Sequence, residues 1–356
     1  MPASRLGAFR AVVCLVALYD VLLWSHAVLN DASAVSDGTQ DRPWTPIFLF
    51  QLLGLDPIQR EAAELVQVAA VGSLLLGAFG VCARLSCLVA AVLFYYWSGL
   101  AYSFGKPHHD KVALAITLAS LPFARVGAAM SVDAWVRRRL RRRRRPKARE
   151  PERAVRGMPI RVAQYTLAIG YCGAGLAKVW VGGLDWFNGY TLQGIMLGHD
   201  GYLSRLVGAS PSLCQIQSIG VVSVQVLFPL VLIWPKSRWF FLPAAMSFHL
   251  MTWMTMDTGP YMRVWLMLWA FVPLEKVPSA LLQALRRGWP SAVATTLGCG
   301  ALGALIGYVA HQAIAAVWLW SFAGLLLLAF VGYALRRPKN GRSWNAGARA
   351  DTTPAQ

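Results

Sequence analysis

Residues 165–178 read Tyr165-Thr-Leu-Ala-Ile-Gly-Tyr-Cys-Gly-Ala-Gly-Leu-Ala-Lys178, an apolar run that ends in a lysine. The next stretch, Val179-Trp-Val-Gly-Gly-Leu-Asp185-Trp186-Phe-Asn-Gly189-Tyr190, is rich in glycine and aromatics. With the residues that precede it, the run approaches the ~20 apolar residues that cross a bilayer. An ammonium inside such a helix costs roughly 2.5–3.5 kcal/mol on insertion scales. Lys178 therefore either snorkels to the interface or carries chemistry.

The rest of the chain sets the class. Its 356 residues have a mean hydropathy of +0.47, 15 Trp and only 14% charged residues. A soluble chain of this size carries about 25% charge. The expected architecture is all-α, a polytopic integral membrane helical bundle, because hydrocarbon demands that each span satisfy its own backbone. The net charge is +18, and its placement argues against nucleic acid as a partner. Residues 137–156 hold twelve basic and two acidic side chains in one loop between apolar segments. Such a loop is a cytoplasmic anchor under the positive-inside rule, with anionic lipid headgroups as its natural contact. No aromatic-interleaved binding fold accompanies it. The six cysteines (14, 82, 87, 172, 214 and 299) form no CxxC pair, so they read as small hydrophobes. Asp20 interrupts the first apolar stretch, which suits a retained helix better than a cleaved signal peptide.

Ten spans are expected, at roughly 9–29, 62–83, 86–104, 111–129, 160–181, 213–234, 239–257, 261–280, 291–312 and 315–335. With the N-terminus inside, the basic positions Arg84, 137–156, Lys236/Arg238, Arg286/Arg287 and the tail from Arg336 all fall on the cytoplasmic side. The loops 30–60, 105–110, 182–212, 258–260 and 313–314 are poor in Lys and Arg and fall outside, leaving both ends of the chain cytoplasmic. Part of 182–212 suits a short amphipathic helix lying on the membrane. Glycines 170, 173 and 175 give the fifth span a smooth packing face.

Polar residues within these spans cluster toward one side. Asp20 and His26 lie in the outer half of the first span, Glu61 and Glu64 open the second, and Arg263 opens the eighth. Lys178 lies near the outer end of the fifth, with Gln225 and His249 near mid-membrane in the sixth and seventh. His108, His109 and Asp110 occupy the outer loop between spans three and four. This asymmetry suggests a polar cavity opening outward. Each residue also has a plain structural reading: interfacial charge for the glutamates and Arg263, helix–helix glue for Asp20, hydrogen-bonded packing for His249, snorkelling for Lys178.

Several segments together resemble one family. Gln164-Tyr-x4-Gly-Tyr-x3-Gly175-Leu-Ala-Lys178, followed by Asp185-Trp186-x2-Gly189, is similar to the vitamin K-dependent gamma-carboxylase and its bacterial relatives, the horizontally transferred transmembrane (HTTM) domain family. Ser131-Val-Asp133-Ala-Trp135 and Phe248-His249-Leu-Met-x7-Gly259-x-Tyr261 fit in order, over roughly residues 8–280. The resemblance implies a core at 1–280, two added spans at 281–335 and a polar cytoplasmic tail at 336–356.

The resemblance also implies chemistry. Lys178 corresponds to the base that deprotonates the quinol, His249 to the family's Phe-His histidine, and His108 or His109 to its histidine before the fourth span, with His249 and His109 expected as further catalytic positions. His108, Asp20, Asp185, Trp186 and Gln225 would then contact the cofactor, a quinol such as vitamin K hydroquinone. Desolvation favours the neutral form of an amine, which such a base requires. Three departures from the family are expected. Two apolar spans and a short tail stand in place of the large C-terminal region that engages a protein substrate, Gln225 stands where many bacterial relatives carry a glutamate, and the polar residue after the family's Phe-His appears as Thr252 or is lost. The expectation is therefore a carboxylase-like lyase or quinol-dependent enzyme in a bacterial inner membrane. The alternatives are a protein that binds or moves a lipid or small hydrophobic molecule, or an accessory to peptide maturation or export.

Overall fold

The computed structural model describes residues 1–272, apart from 24, 40–42, 106–110, 145–154 and 257–266. Among the described residues there are helices and no strand. Thirteen α-helices follow one another: α1 (Ala3–Leu23), α2 (Ser25–Asp37), α3 (Phe48–Leu53), α4 (Arg60–Phe79), α5 (Ala83–Ser103), α6 (Val112–Ser120), α7 (Val132–Arg144), α8 (Met158–Gly182), α9 (Tyr190–Leu197), α10 (Tyr202–Gly208), α11 (Pro211–Leu227), α12 (Leu230–Ile233) and α13 (Arg238–Met256). Four stretches, α1, α4, α5 and Met158–Trp186, are long and apolar enough to cross a membrane. Val112–Phe123 and α11 are apolar but shorter. Exposed Leu65, Val68, Ile169 and Trp180 make an outer surface suited to lipid rather than water.

The fourth expected span, 111–129, has a different form. Its α-helix closes at Ser120, and Leu121–Phe123 continues as a 3₁₀ turn containing Pro122. Proline has no N–H to donate and crowds the preceding turn, so the helix tightens and stops there. The stretch 182–212, expected as a loop with a short helix in part of it, holds a 3₁₀ turn at Gly183–Trp186 and the short helices α9 and α10. Leu192, Met196, Val207 and Cys214 bury together there and pack against Met256. The Ser204 hydroxyl donates to the Thr255 carbonyl, which ties this cap to the end of α13.

The opposite end of the bundle is tied by backbone acceptors. Arg10 is fully buried and donates to Val126 O (2.7 Å), Met130 O (2.7 Å) and Ala78 O (3.1 Å). One side chain so joins α1, the end of α4 and the segment before α7. Gly80, at φ +71°, makes the turn from α4 toward α5. A Cβ there would lie 2.6 Å from the Arg10 guanidinium, so the turn needs glycine twice over. Asp133 accepts from Cys82 N (2.8 Å) and Ala83 N (2.9 Å), capping α5 from another part of the chain. The Ser131–Asp133 segment is thus a fastening of this end.

Candidate functional site

The site is built on one face of α8. Gln164, Tyr171, Gly175 and Lys178 recur at helical spacing and line a single stripe. Gln164 donates to Ala270 O at 2.9 Å, and Tyr171 and Gly175 are buried. α11 runs back along this stripe. Gly189 lies against Gln215, Gly175 against Gln225 and Val226, and Tyr171 stacks on Phe228 with ring centroids 4.2 Å apart.

Gly175 sets the spacing of the two helices. A Cβ at that position would sit 2.8 Å from Val226 Cγ2 and 2.9 Å from Gln225 Cβ. Its absence lets α11 approach closely enough to place Gln225 Oε1 3.0 Å from Lys178 Nζ. Nζ also donates to Ala174 O, one turn back, at 3.3 Å. The Trp186 ring lies 5.4 Å from Nζ at its centroid, a cation–π arrangement. Gly182 makes room for that indole: a Cβ there would lie 2.6 Å from Trp186 Nε1.

All of these partners are electron-rich, and none is charged. Lys178 is half-buried, and among the described residues no carboxylate pairs with its ammonium. Its helical neighbours Leu176, Val179 and Trp180 are exposed, so the amine sits at the lipid-facing flank of the stripe and not behind it.

Two turns deeper, about 10 Å along the helix axis, Tyr171 Oη and His249 Nε2 lie 2.6 Å apart, and both residues are buried. Phe228, stacked on Tyr171, meets Phe241 and Phe271 edge-on at 6.3 and 6.1 Å. His249 thus reaches the stripe through Tyr171, which the sequence did not single out. Its signal was the seven-residue interval to Lys178, which returns to the same helix face after two turns.

The other sequence candidates fall elsewhere. Asp20, in the last turn of α1, is 0% exposed and pairs with Lys111 Nζ at 3.1 Å, whose side chain is 4% exposed. Lys111 immediately precedes α6 and also lies 5.3 Å from the Tyr102 ring centroid. The sequence reading missed Lys111, although a lone cation opening an apolar helix was a usable signal. Asp185 is exposed; its carboxylate accepts from Asn188 Nδ2 at 3.3 Å. His108, His109 and Arg263 lie outside the described residues. Among the described residues no three His, Cys, Asp or Glu side chains converge as metal ligands would.

A family model, that of the HTTM domain, matches residues 1–275. No curated protein and no solved structure matches the chain.

Proposed function

Because the chain belongs to the HTTM domain family, a membrane-associated family related to gamma-carboxylase, we propose that Lys178 is the reactive group of a site for a lipid-soluble, quinol-like molecule. The observation that carries this reading is an amine on a helix apolar and long enough to cross a membrane, whose partners among the described residues are all uncharged. A lysine kept merely for structure would be expected to pair with a carboxylate, as Lys111 does with Asp20.

The geometry supports a base. Two of the three N–H directions on Nζ are committed to Gln225 Oε1 and Ala174 O. In the neutral amine the third direction carries the lone pair, which accepts a proton from an acidic hydroxyl. The resulting ammonium keeps both hydrogen bonds and gains the Trp186 face. Gln225 orients the amine and, unlike a glutamate, adds no charge that would hold the proton on it. Tyr171 and His249 form a second proton-bearing pair further down the stripe. On this reading the protein is a quinol-dependent enzyme, lyase-like, of a bacterial inner membrane, with residues 1–280 as its core. The ten-span arrangement with both ends cytoplasmic belongs to the same proposal.

A binding-only role is the second reading, favoured by the same cage, which serves an ammonium well. Substitution separates the two. The full-length protein, with Lys178→Ala and Lys178→Arg, would be purified in mild detergent and its bound hydrophobic molecules identified by mass spectrometry. Both readings expect a specific molecule in the wild type that is depleted at least about tenfold in Lys178→Ala, the loss of one charge-assisted contact. Arginine keeps the charge but cannot act as base. Turnover of the bound molecule by the wild type that is lost in Lys178→Arg while the molecule is retained supports the base, retention in both with turnover by neither supports binding alone, and turnover by Lys178→Arg overturns the base. The same bound set in all three proteins overturns both.

A further inference from the structure

We propose that α7 is an interfacial anchor, lying along the membrane with its apolar stripe in the headgroup boundary and its arginines on anionic phospholipids. Three observations carry this. The first is placement. α4 and α5 are each long and apolar enough to cross a membrane, which puts the connection between them at a membrane face. Asp133, in the first turn of α7, accepts from Cys82 N and Ala83 N in that connection, and its own N–H donates to Gly80 O at 3.2 Å. Ser131 caps α7 by accepting from Ala134 N at 3.0 Å, and Arg137 donates to Gly127 O. The start of α7 is therefore held at the depth of that face.

The second observation is amphipathicity. Val132, Val136 and Leu140 recur every four residues along one stripe, with Trp135 beside them, and all four are exposed. Ala134 is buried and turns the other side of the helix to the bundle. An uncovered tryptophan and leucine on a surface helix have a ready place in the acyl boundary. The third is charge. Eight of the nine residues from 137 to 145 are arginine. Arg139 lies over the Trp135 ring at 5.2 Å, so one cation borders the apolar stripe itself. A short helix with this composition at a membrane face fits a negatively charged leaflet, and its hold should weaken with salt.

The test uses the full chain in lipid nanodiscs, cysteine-free except for one reporter site. An environment-sensitive fluorophore is placed at Val136→Cys, Leu140→Cys or Arg138→Cys, the last on a different face of α7. In discs containing phosphatidylglycerol, the probes at 136 and 140 should shift to the blue and be quenched by a nitroxide on the lipid chain. The probe at 138 should remain water-like, and added salt or purely zwitterionic lipid should reduce the quenching severalfold. Water-like spectra at 140 in anionic discs overturn the proposal. So does equal burial at 140 in lipid-free amphipol, which would mean that the chain itself or a second copy covers the stripe. Protection that appears only on adding RNA would assign the arginines to nucleic acid and overturn it as well.

Discussion

Arg10 and Lys178 are both cations drawn into apolar helices, and they are held in opposite ways. Arg10 is fully enclosed, and its guanidinium spans three carbonyl oxygens from two separate segments. Lys178 is half-buried and meets a side-chain amide, the carbonyl of its own helix and an indole face. The guanidinium fork suits fixed, multiple acceptors, whereas an ammonium is compact and can exchange partners or lose a proton. One end of the bundle uses its cation to hold helices together. The other keeps its cation where a molecule from the bilayer could reach it.

If this contrast is right, the largest loss of stability should come from Arg10→Met. Three carbonyl oxygens would lose their donor at once, at a cost on the order of 3–5 kcal/mol. Thermal unfolding in detergent should show it, and a variant as stable as wild type would remove Arg10 from its fastening role. Tyr171→Phe comes next. It leaves the buried His249 Nε2 without its hydroxyl partner, at about 1–3 kcal/mol. Asp133→Ala uncaps α5 and should cost about 1–2 kcal/mol, with Asp133→Asn recovering part of it. The smallest effect is expected for Lys178→Met, within about 1 kcal/mol of zero or stabilising, because it takes a cation out of an apolar setting. Loss of bound hydrophobic molecule with stability intact would sharpen the comparison. A Lys178→Met protein that unfolds as readily as Arg10→Met would break it.

These residues also show what could be read from one dimension. The helical membrane class followed from hydropathy, since charge depletion and apolar runs act locally. Lys178 stood out because a cation at the end of such a run is costly and needs a reason. The helix–turn at Pro122 was readable in principle from proline's missing N–H, yet the apolar run around it concealed the shortening. Asp133 was noticed as part of a family-like segment, but its work is on N–H groups fifty residues away. Nothing local announces such a cap. Asp20 and Lys111 are ninety-one positions apart, and only folding brings them to 3.1 Å. Gln225 was visible as a polar residue in a span. That it meets Lys178 depends on the register of α11 against α8, which hydropathy does not encode.

Gly175 turns that register into an adjustable dimension. With no atom beyond Cα, it sets how far apart α8 and α11 stand, while every group with chemistry lies elsewhere. A methyl or isopropyl group there would act as a shim, moving Gln225 away from the amine while leaving both functional groups in place. A graded series at residue 175 would therefore tune the distance between an intact amine and an intact amide. Geometry could then be titrated separately from composition, as deletion of either partner cannot do.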